Sequence, residues 1–370
     1  MEQINGELKK YIYNLEISTI TPMHIGNGNL LRPDSKLLEF KENNYKIINP
    51  AFVSNDIPQE ISEFIHTNGK SFFPGSSIKG AFKSAYLYYW LTKDNFGKRK
   101  LNTWIKELNS ISSDGKLNNY IKKKFIEKGD NIKEYKNKKY FGFDNIIIRN
   151  CFGESIANAR GKYNKFFLWN NLRLLDSDID VKQRAIYELR RFYIESEYNG
   201  IPTFLECIKP EETFETQLQY INANEKDFIF LSKNLNKIFT DKNKIKKLIN
   251  EYSLALIEYE INTLNDPDID YNTDLDNYKN FLNNLKETIE GDSNDTLYLR
   301  IGAGKMQYYQ NIAIALYNLP GTYENDDAWY NYKSFLVNFE NDTNDFLYPK
   351  TRALTYIEKL PIGWIKITIK

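Results

Sequence analysis

The chain has 370 residues, of which 41% are hydrophobic and 15% aromatic, and its 50 basic residues nearly balance 49 acidic ones. Two cysteines and two histidines in a chain of this length exclude a disulfide framework and a histidine-based metal cluster, and we expect no cofactor. The sequence has no apolar run of about eighteen residues and no signal-peptide core at its start. We therefore expect a cytoplasmic protein without a membrane partner.

Charge is concentrated in two segments despite the net value of +1. Residues 116–139 contain nine lysines and three acidic residues, whereas residues 258–295 contain eleven acidic residues and two lysines. This asymmetry predicts one basic and one acidic surface. The alternative is that both segments are ordinary solvated faces, and composition alone does not distinguish the two.

The predicted elements alternate between strands and helices along the chain. Strands are expected at "YIYNLEISTI", "NYKIINP", "DNIIIRNCFG", "KFFLWNNLRLLDSD", the hairpin "IPTFLECIKPEETFETQLQY", "TLYLR" and "GWIKITIK". Helices are expected at residues 76–91, "LNKIFTDKNKIKKLINEYSLALIEYEI", "LDNYKNFLNNLKETIE" and "MQYYQNIAIALYN". This order favours an α+β fold with a mainly antiparallel sheet covered on one side by helices.

The same pattern suggests a core interrupted by insertions. Residues 1–220 are expected to form its first part, with a lysine-rich insertion at about 92–140. Residues 221–292 are expected to be a helical insertion, and residues 293–370 the second part, with a glycine-rich loop and a C-terminal strand.

The stretch "FFPGSSIKGAFKSA" combines a turn, two serines and two lysines at the start of an apolar helix. Ser76 or Ser77 is expected to cap the helix. Lys79 and Lys83 are four residues apart, so they share a face within the first two turns. Cations are unfavourable at the positive end of a helix unless an anion lies there, which suggests a bound phosphate. The alternative is an ordinary capped helix with solvated lysines.

The segment "LRIGAGKMQ" contains a glycine loop that matches no nucleotide-binding motif. It lacks the third glycine of GxGxxG, and Met306 stands where a Walker motif needs serine or threonine. Gly302 and Gly304, flanked by Arg300 and Lys305, could expose backbone N–H groups to a phosphate. A simple turn into a helix remains the alternative.

The C-terminal segment "YPKTRAL" places Lys350 and Arg352 two residues apart. On an extended chain their side chains point to the same side. Two hypotheses follow: either the pair forms ion pairs with acidic residues of the helical insertion or of residues 340–345, or it contacts the phosphates of a bound polyanion.

Several of these segments together resemble a known family. The segments "TITPMHIGNG", "FFPGSSIKGAFKSA", "LRIGAGK" and "LYPKTRALTYIEKLPIGWIKI", in this order, resemble the RAMP superfamily of CRISPR-associated RNA-binding proteins. The ending "YPKTRAL…PIGWIKI" is similar to that of the Csm subunit that caps the 3′ end of the crRNA in type III-A effector complexes. The resemblance covers most of residues 10–220 and 295–370, but little of 92–140 and 221–292.

The resemblance implies an RRM-like (ferredoxin-like) core that binds crRNA. The partners that it implies are crRNA, the other Csm subunits, especially the repeating backbone RAMP subunit, and recruited host nucleases. RRM-like sheets also present aromatic side chains for base stacking. The residues expected at the RNA are His24, Gly26, Ser76, Ser77, Lys79, Lys83, Arg300, Gly302, Gly304, Lys305, Lys350 and Arg352.

The same resemblance raises the question of catalysis. The related backbone subunit cleaves RNA with a loop aspartate, but the residues around Asp34 do not reproduce that loop. The acidic segment "NDPDIDYNTDLD" lacks the glycine and glutamate of an EF-hand, so no metal site is expected. We therefore expect a non-catalytic RNA-binding subunit, with no catalytic residue. One alternative is a standalone metal-independent RAMP endoribonuclease that processes crRNA precursor with His24 as its base. Another is a protein scaffold that does not contact RNA.

Overall fold

The computed structural model describes residues 9–31, 60–68, 70–109, 156–157, 163–164, 168–180, 183–197, 200–222, 229–267, 271–302, 314–315 and 351–370. In chain order the strands are β1 (Lys10–Thr19), β2 (Gly26–Leu31), β3 (Ile61–Phe64), β4 (His66–Thr67), β5 (Lys70–Phe73), β6 (Ile156–Ala157), β7 (Tyr163–Asn164), β8 (Leu172–Leu174), β9 (Ser177–Ile179), β10 (Arg184–Tyr193), β11 (Thr203–Ile208), β12 (Thr213–Ile221), β13 (Thr296–Arg300), β14 (Thr351–Thr355) and β15 (Trp364–Ile369). The α-helices are α1 (Gly75–Thr92), α2 (Asn95–Asn109), α3 (Ile229–Phe239), α4 (Lys242–Leu264) and α5 (Asp276–Gly291).

The first large sheet has the strand order β13-β15-β1-β12-β8, and all of its neighbouring strands are antiparallel. Helix α1 lies between β1 and β8 in the chain, and helices α3 to α5 lie between β12 and the last strands. Strands β15, β1, β12 and β8 thus stand as the fourth, first, third and second strands of a β-α-β-β-α-β unit. This is the ferredoxin-like arrangement, which confirms the expected α+β fold.

Alternation along β1 sets the two faces of this sheet. Leu15 and Ile17 of β1 are almost fully buried, whereas Asn14 of the same strand is exposed. Successive side chains of a strand point to opposite faces, so one face of the sheet is apolar and the other polar. The apolar face is covered by helices, because α1 contacts β8 and α4, and α4 contacts β13.

A second large sheet has the order β14-β10-β11-β3-β2 and contains one parallel pair, β3 with β11. The predicted hairpin over "IPTFLECIKPEETFETQLQY" is therefore wrong. The chain does turn after β11, where Glu211 has a φ of 65°. However, β11 pairs with β10 in the second sheet, while β12 pairs with β1 and β8 in the first. The turn carries the chain from one sheet to the other.

The helical segment after β12 is divided as its capping residues require. Asp241 accepts hydrogen bonds from the N–H groups of Asn243 and Lys244, so α4 begins anew after α3. Asn272, before α5, fixes this segment to the second sheet by donating from Nδ2 to the carbonyl oxygens of Tyr193 and Ser196, at 3.0 and 2.8 Å. The division of the chain at residues 220 and 292 stays a prediction.

Three predicted elements, "NYKIINP", "DNIIIRNCFG" and nearly all of "MQYYQNIAIALYN", lie outside the described residues. Within the described part of the chain, no helix is long and apolar enough to cross a membrane.

Candidate nucleic-acid interface

Three of the segments that resemble the family meet at one backbone junction. The N–H of Gly363 donates to the carbonyl of Pro22, and the N–H of Ile301 donates to the carbonyl of Gly363, each at 2.8 Å. The N–H of Ile20 donates to the carbonyl of Trp364, also at 2.8 Å. The segments near residues 20, 301 and 363 therefore hold β1, β13 and β15 together at one end of the first sheet.

Glycine is required at two positions of this junction. Gly302 has a φ of 78° and Gly363 a φ of 91°, in the left-handed region that disfavours other residues. A Cβ atom on Gly302 would overlap the carbonyl oxygen of His24, and one on Gly363 would overlap that of Ile301. Close backbone packing is thus a sufficient physical reason for both glycines.

His24 belongs to a buried polar network and not to an open surface. Its side chain is only 4% exposed, and Nδ1 lies 2.7 Å from the carbonyl oxygen of Glu206. Burial lowers the pKa of His24, although the hydrogen bond to Glu206 opposes this effect. The Glu206 carboxylate contacts Arg184 at 2.8 Å and accepts from the N–H of Phe64 at 2.9 Å. In this structure the His24 ring faces protein, so its burial does not favour the predicted RNA contact, which stays a prediction. Gly26 itself is exposed, and a Cβ there would come within 2.8 Å of His24 Nε2.

Two predicted RNA-binding arginines are also buried. Arg300 is 3% exposed and donates from Nε to the carbonyl of Ile362 at 3.0 Å. Arg352 is 0% exposed, and its Nε donates to Oε2 of Glu260, also 0% exposed, at 2.6 Å. Their burial against protein groups does not favour the predicted RNA contacts, which stay predictions. Of the two hypotheses for Arg352, the geometry matches the ion pair with the helical insertion.

The start of α1 differs from the predicted cap. The N-cap residue is Pro74, which makes no side-chain cap, so neither Ser76 nor Ser77 has that role. Instead, Oδ1 of Asp176 accepts a hydrogen bond from the N–H of Gly75 at 2.8 Å. The positive end of the helix is therefore already occupied by a carboxylate of the protein. Ser76 is exposed and Ser77 half-buried, so both remain accessible.

The lysines one turn further along α1 form a cationic cluster with an arginine of β8. Burial, followed by the charges of Lys83 and Arg173, lowers the pKa of half-buried Lys79. We call Lys79, Lys83 and Arg173 the helix-α1 cluster. Arg173 is exposed on β8, next to the strand partner Gln219.

Two members of the helix-α1 cluster, Lys79 and Arg173, form no ion pair within the described part of the chain. Other cations are paired there: Lys209, Lys242, Lys244, Lys286 and Lys370 each contact a carboxylate within 4 Å. Neighbouring like charges without counterions are unfavourable, and a bound anion would relieve the repulsion. The cluster is thus a described surface that suits a phosphate.

Sequence reasoning missed Arg173, although it lies in the "LRLLDSD" segment that resembles the family. The available signal was its position as a lone cation between leucines of a short strand, which alternation places on the face opposite to them. Its proximity to Lys79 depends on how α1 packs against β8, which no local pattern reveals.

Gly302 and the helix-α1 cluster do not form one compact site. Gly302 follows β13 and Arg173 lies on β8, and these strands are the two edges of the five-stranded sheet. Four strand spacings separate them, which is about 19 Å. One nucleotide therefore cannot contact both. Gly304, Lys305, Lys350 and Asp34 lie outside the described residues, and their roles stay predictions.

On the outer face of the first sheet, the described residues of β1, β12 and β15 present no exposed aromatic side chain, and most of the exposed ones are polar, although Ile12 is 52% exposed. Lys370 contacts Glu16 at 2.8 Å and Glu215 at 2.7 Å, and Gln217 donates to Asn14 at 3.2 Å. The tyrosines of β1, Tyr11 and Tyr13, pack against the core instead. Base stacking of the RRM type has no aromatic platform on this face.

Comparisons with known proteins agree with the fold. A curated relative, "CRISPR system Cms protein Csm5" of Methanocaldococcus jannaschii, is 24% identical over 331 residues, which cover 84% of this chain. The chain spans 65% of the length of that relative.

Two solved structures share the fold. A chain of a cryo-EM structure of a Csm-crRNA-target RNA ternary complex in a type III-A CRISPR-Cas system matches with a TM-score of 0.63 and 19% identity, covering 97% of this chain and 100% of that one. The crystal structure of T. onnurineus Csm5 matches with a TM-score of 0.50 and 16% identity, covering 95% and 99%. The family model described as the RAMP superfamily matches residues 16–306, and the chain belongs to that superfamily.

Proposed function

We propose that this protein is a non-catalytic crRNA-binding subunit of a type III-A CRISPR Csm complex. In this role it caps the 3′ end of the crRNA and supports crRNA maturation and complex assembly in antiviral defence. Its partners are crRNA and the other Csm subunits, in particular the repeating backbone RAMP subunit, with recruited host nucleases as a further partner. Membership of the RAMP superfamily and the Csm5 relative support this assignment.

The observation that carries the proposal is the helix-α1 cluster. Burial, followed by the charges of Lys83 and Arg173, lowers the pKa of Lys79, and the described residues supply no carboxylate to Lys79 or Arg173. An RNA backbone provides one negative charge per nucleotide, so it neutralises such a cluster without any sequence requirement. A subunit that must hold guides of any sequence needs this kind of contact.

The proposal of a non-catalytic role is supported by the environment of His24. A general base must reach the proton that it removes and must titrate near the working pH. His24 is 4% exposed, with one ring nitrogen engaged by Glu206 and a pKa lowered by burial. It is not placed to activate a ribose hydroxyl of bound RNA. Incubation of the purified protein with crRNA precursor in EDTA should therefore give no specific cleavage, and cleavage lost in His24→Ala would contradict this assignment.

RNA binding is tested through its salt dependence. Lys79→Ala with Arg173→Ala should weaken binding of single-stranded RNA about equally for unrelated sequences. The slope of log K against log salt should fall by about 1.4, because each phosphate contact on a single strand contributes about 0.7. Fluorescence anisotropy with labelled RNA at several salt concentrations gives both quantities.

The matched control is Lys247→Ala on α4, since the side chain of Lys247 is 75% exposed and lies on a different helix. It should leave the affinity and the salt slope unchanged. A double variant of Lys79 and Arg173 with wild-type affinity and slope would remove the basis of the proposal. Photo-crosslinking of RNA labelled at either end tests the finer assignment, which requires crosslinks at the 3′ end.

A further inference from the structure

A second group of cations lies on the other sheet, around the turn between β14 and β15. We call Glu188, Arg190, Phe192, Tyr356 and Lys359 the stacked-arginine cluster. Glu188, Arg190 and Phe192 alternate along β10, so they share one face of that strand. Tyr356 and Lys359 come from the turn, and the N–H of Tyr356 donates to the carbonyl of Glu188 at 2.9 Å.

Two contacts, one with Glu188 and one with the Tyr356 ring, fix the orientation of the Arg190 guanidinium group. Its Nε donates to Oε1 of Glu188 at 2.6 Å, and the side chain of Glu188 is only 4% exposed. Its Cζ atom lies 3.7 Å from the centre of the Tyr356 ring, the distance of a stacked pair. The terminal nitrogens donate to no described residue, and 25% of the side chain remains exposed. An arginine fixed in this way loses little entropy when a ligand binds.

Lys359, the last residue of the cluster, has an unfavourable backbone conformation. Its φ of 56° lies in the left-handed region, which is uncommon for lysine. Its Nζ lies 4.1 Å from the centre of the Phe192 ring and 4.6 Å from that of Tyr356. Strained residues persist where their surroundings hold them, and they concentrate at ligand sites. This backbone outlier is independent of the Arg190 geometry and lies in the same cluster.

The charge balance decides between a phosphate and a base as the ligand. The cations Arg190 and Lys359 face the carboxylates of Glu188 and Asp274, so the group is close to neutral. A near-neutral group attracts a phosphate weakly. Stacking of a nucleobase on a guanidinium plane needs no net positive charge, and it is a common way for proteins to hold unpaired bases.

We propose that the face of the Arg190 guanidinium turned away from Tyr356 is a stacking position for one nucleobase of single-stranded RNA. The proposal rests on the RNA-binding function proposed above and adds to it a base contact on the second sheet. It also assigns the stacking role to an arginine, since the outer face of the first sheet carries no aromatic platform on its described strands. Stacking does not use the hydrogen-bonding groups at the edge of the base, so this contact accepts any of the four bases.

The first test compares Arg190→Lys with Arg191→Lys. Arg190→Lys keeps a cation for buried Glu188 but removes the planar group, so the fold is retained while stacking is lost. It should bind single-stranded RNA about tenfold more weakly, with an unchanged salt slope. Arg191 is exposed on the opposite face of the same strand, and Arg191→Lys should bind like the wild type. Thermal melting of both variants checks that the fold is intact.

The second test uses RNA oligonucleotides with a single abasic position moved along the strand. For the wild type, one abasic position should reduce affinity by about the same factor as Arg190→Lys. In Arg190→Lys, that position should no longer matter. This coupling is specific to a base contact, because removal of a base leaves every phosphate in place.

Each outcome separates this proposal from the previous one. If the wild type binds no RNA, the proposed function fails. If the helix-α1 variants weaken binding while Arg190→Lys binds like the wild type, only the stacking proposal fails. A loss of affinity accompanied by a flatter salt slope would instead identify a phosphate contact and overturn stacking. The stacking proposal is also overturned if Arg190→Lys leaves RNA binding intact and only weakens co-purification of other subunits. That result would identify a protein contact.

Discussion

Replacing Glu260 by glutamine removes one charge from an ion pair that is fully enclosed in protein. Arg352 and Glu260 are both 0% exposed, with Nε and Oε2 2.6 Å apart, and the pair joins β14 of the second sheet to helix α4. Burial disfavours the charged form of Arg352, but Glu260 and the neighbouring Tyr278 and Tyr259 raise its pKa on balance. In Glu260→Gln the arginine therefore stays charged and loses the carboxylate partner that the described residues give it.

The magnitude follows from this burial. Breaking a buried pair by removing one partner costs about 3–5 kcal/mol, because the remaining charge is neither solvated nor compensated. We expect Glu260→Gln to lower the free energy of unfolding by about 3 kcal/mol, a large share of the stability of an ordinary domain. In contrast, Glu260→Leu combined with Arg352→Met should lie within about 1 kcal/mol of the wild type, since two apolar side chains of similar size leave no charge behind.

Urea unfolding followed by tryptophan fluorescence measures these differences. The matched control is the exposed pair Lys247 and Glu251 on the same helix, whose charged atoms are 3.8 Å apart. Lys247→Met should cost less than about 0.5 kcal/mol. A wild-type stability for Glu260→Gln, or weaker RNA binding by a fully stable Glu260→Leu/Arg352→Met variant, would refute the assignment of Arg352 to the fold.

Two further predictions concern the junction at the end of the first sheet. Gly302→Ala should lower the free energy of unfolding in urea by more than about 2 kcal/mol, because the φ of 78° and the adjacent His24 carbonyl leave no room for a Cβ. The control Gly80→Ala, at an open position within helix α1, should instead raise it by about 0.5–1 kcal/mol. Equal effects of the two substitutions would contradict the geometric argument. The lowered pKa of His24 means that its stabilising contribution is complete above the unfolded-state pKa of about 6.5 and is lost as the pH falls below that value. His24→Gln should therefore lose less stability than the wild type between pH 7 and pH 5, and parallel pH profiles of the two proteins would rule this out. The raised pKa of Glu206 changes the stability in the opposite direction as the pH falls, but this effect is present in both proteins.

Much of the local structure could be predicted because it depends on patterns within one segment. The apolar spacing of residues 76–91 matches α1, and the helix-forming segment after β12 contains α3, α4 and α5. The alternating pattern at the C-terminus matches β15. The family could be recognised because its segments are short and contiguous, and the junction explains why they occur together: Gly302 and Gly363 are needed where β1, β13 and β15 meet.

Pairing partners and side-chain exposure could not be predicted in the same way. The turn after β11 had every local property of a hairpin, yet the two strands belong to different sheets. Local propensity determines where a strand begins and ends, whereas the sheet that it joins depends on strands distant in sequence.

The sequence by itself determined the α+β class, the position of most described helices and of strands such as β1, β12 and β15, and the membership of the RAMP superfamily. Only the tertiary structure decided which cations are available to a ligand. Arg300, Arg352 and Lys79 are all cations in conspicuous segments, but the first two are buried against protein groups, while Lys79 lies beside Arg173 without an acidic partner among the described residues. The reason is physical: the role of a charge depends on the dielectric and the charges around it, and the fold brings these together from remote parts of the chain.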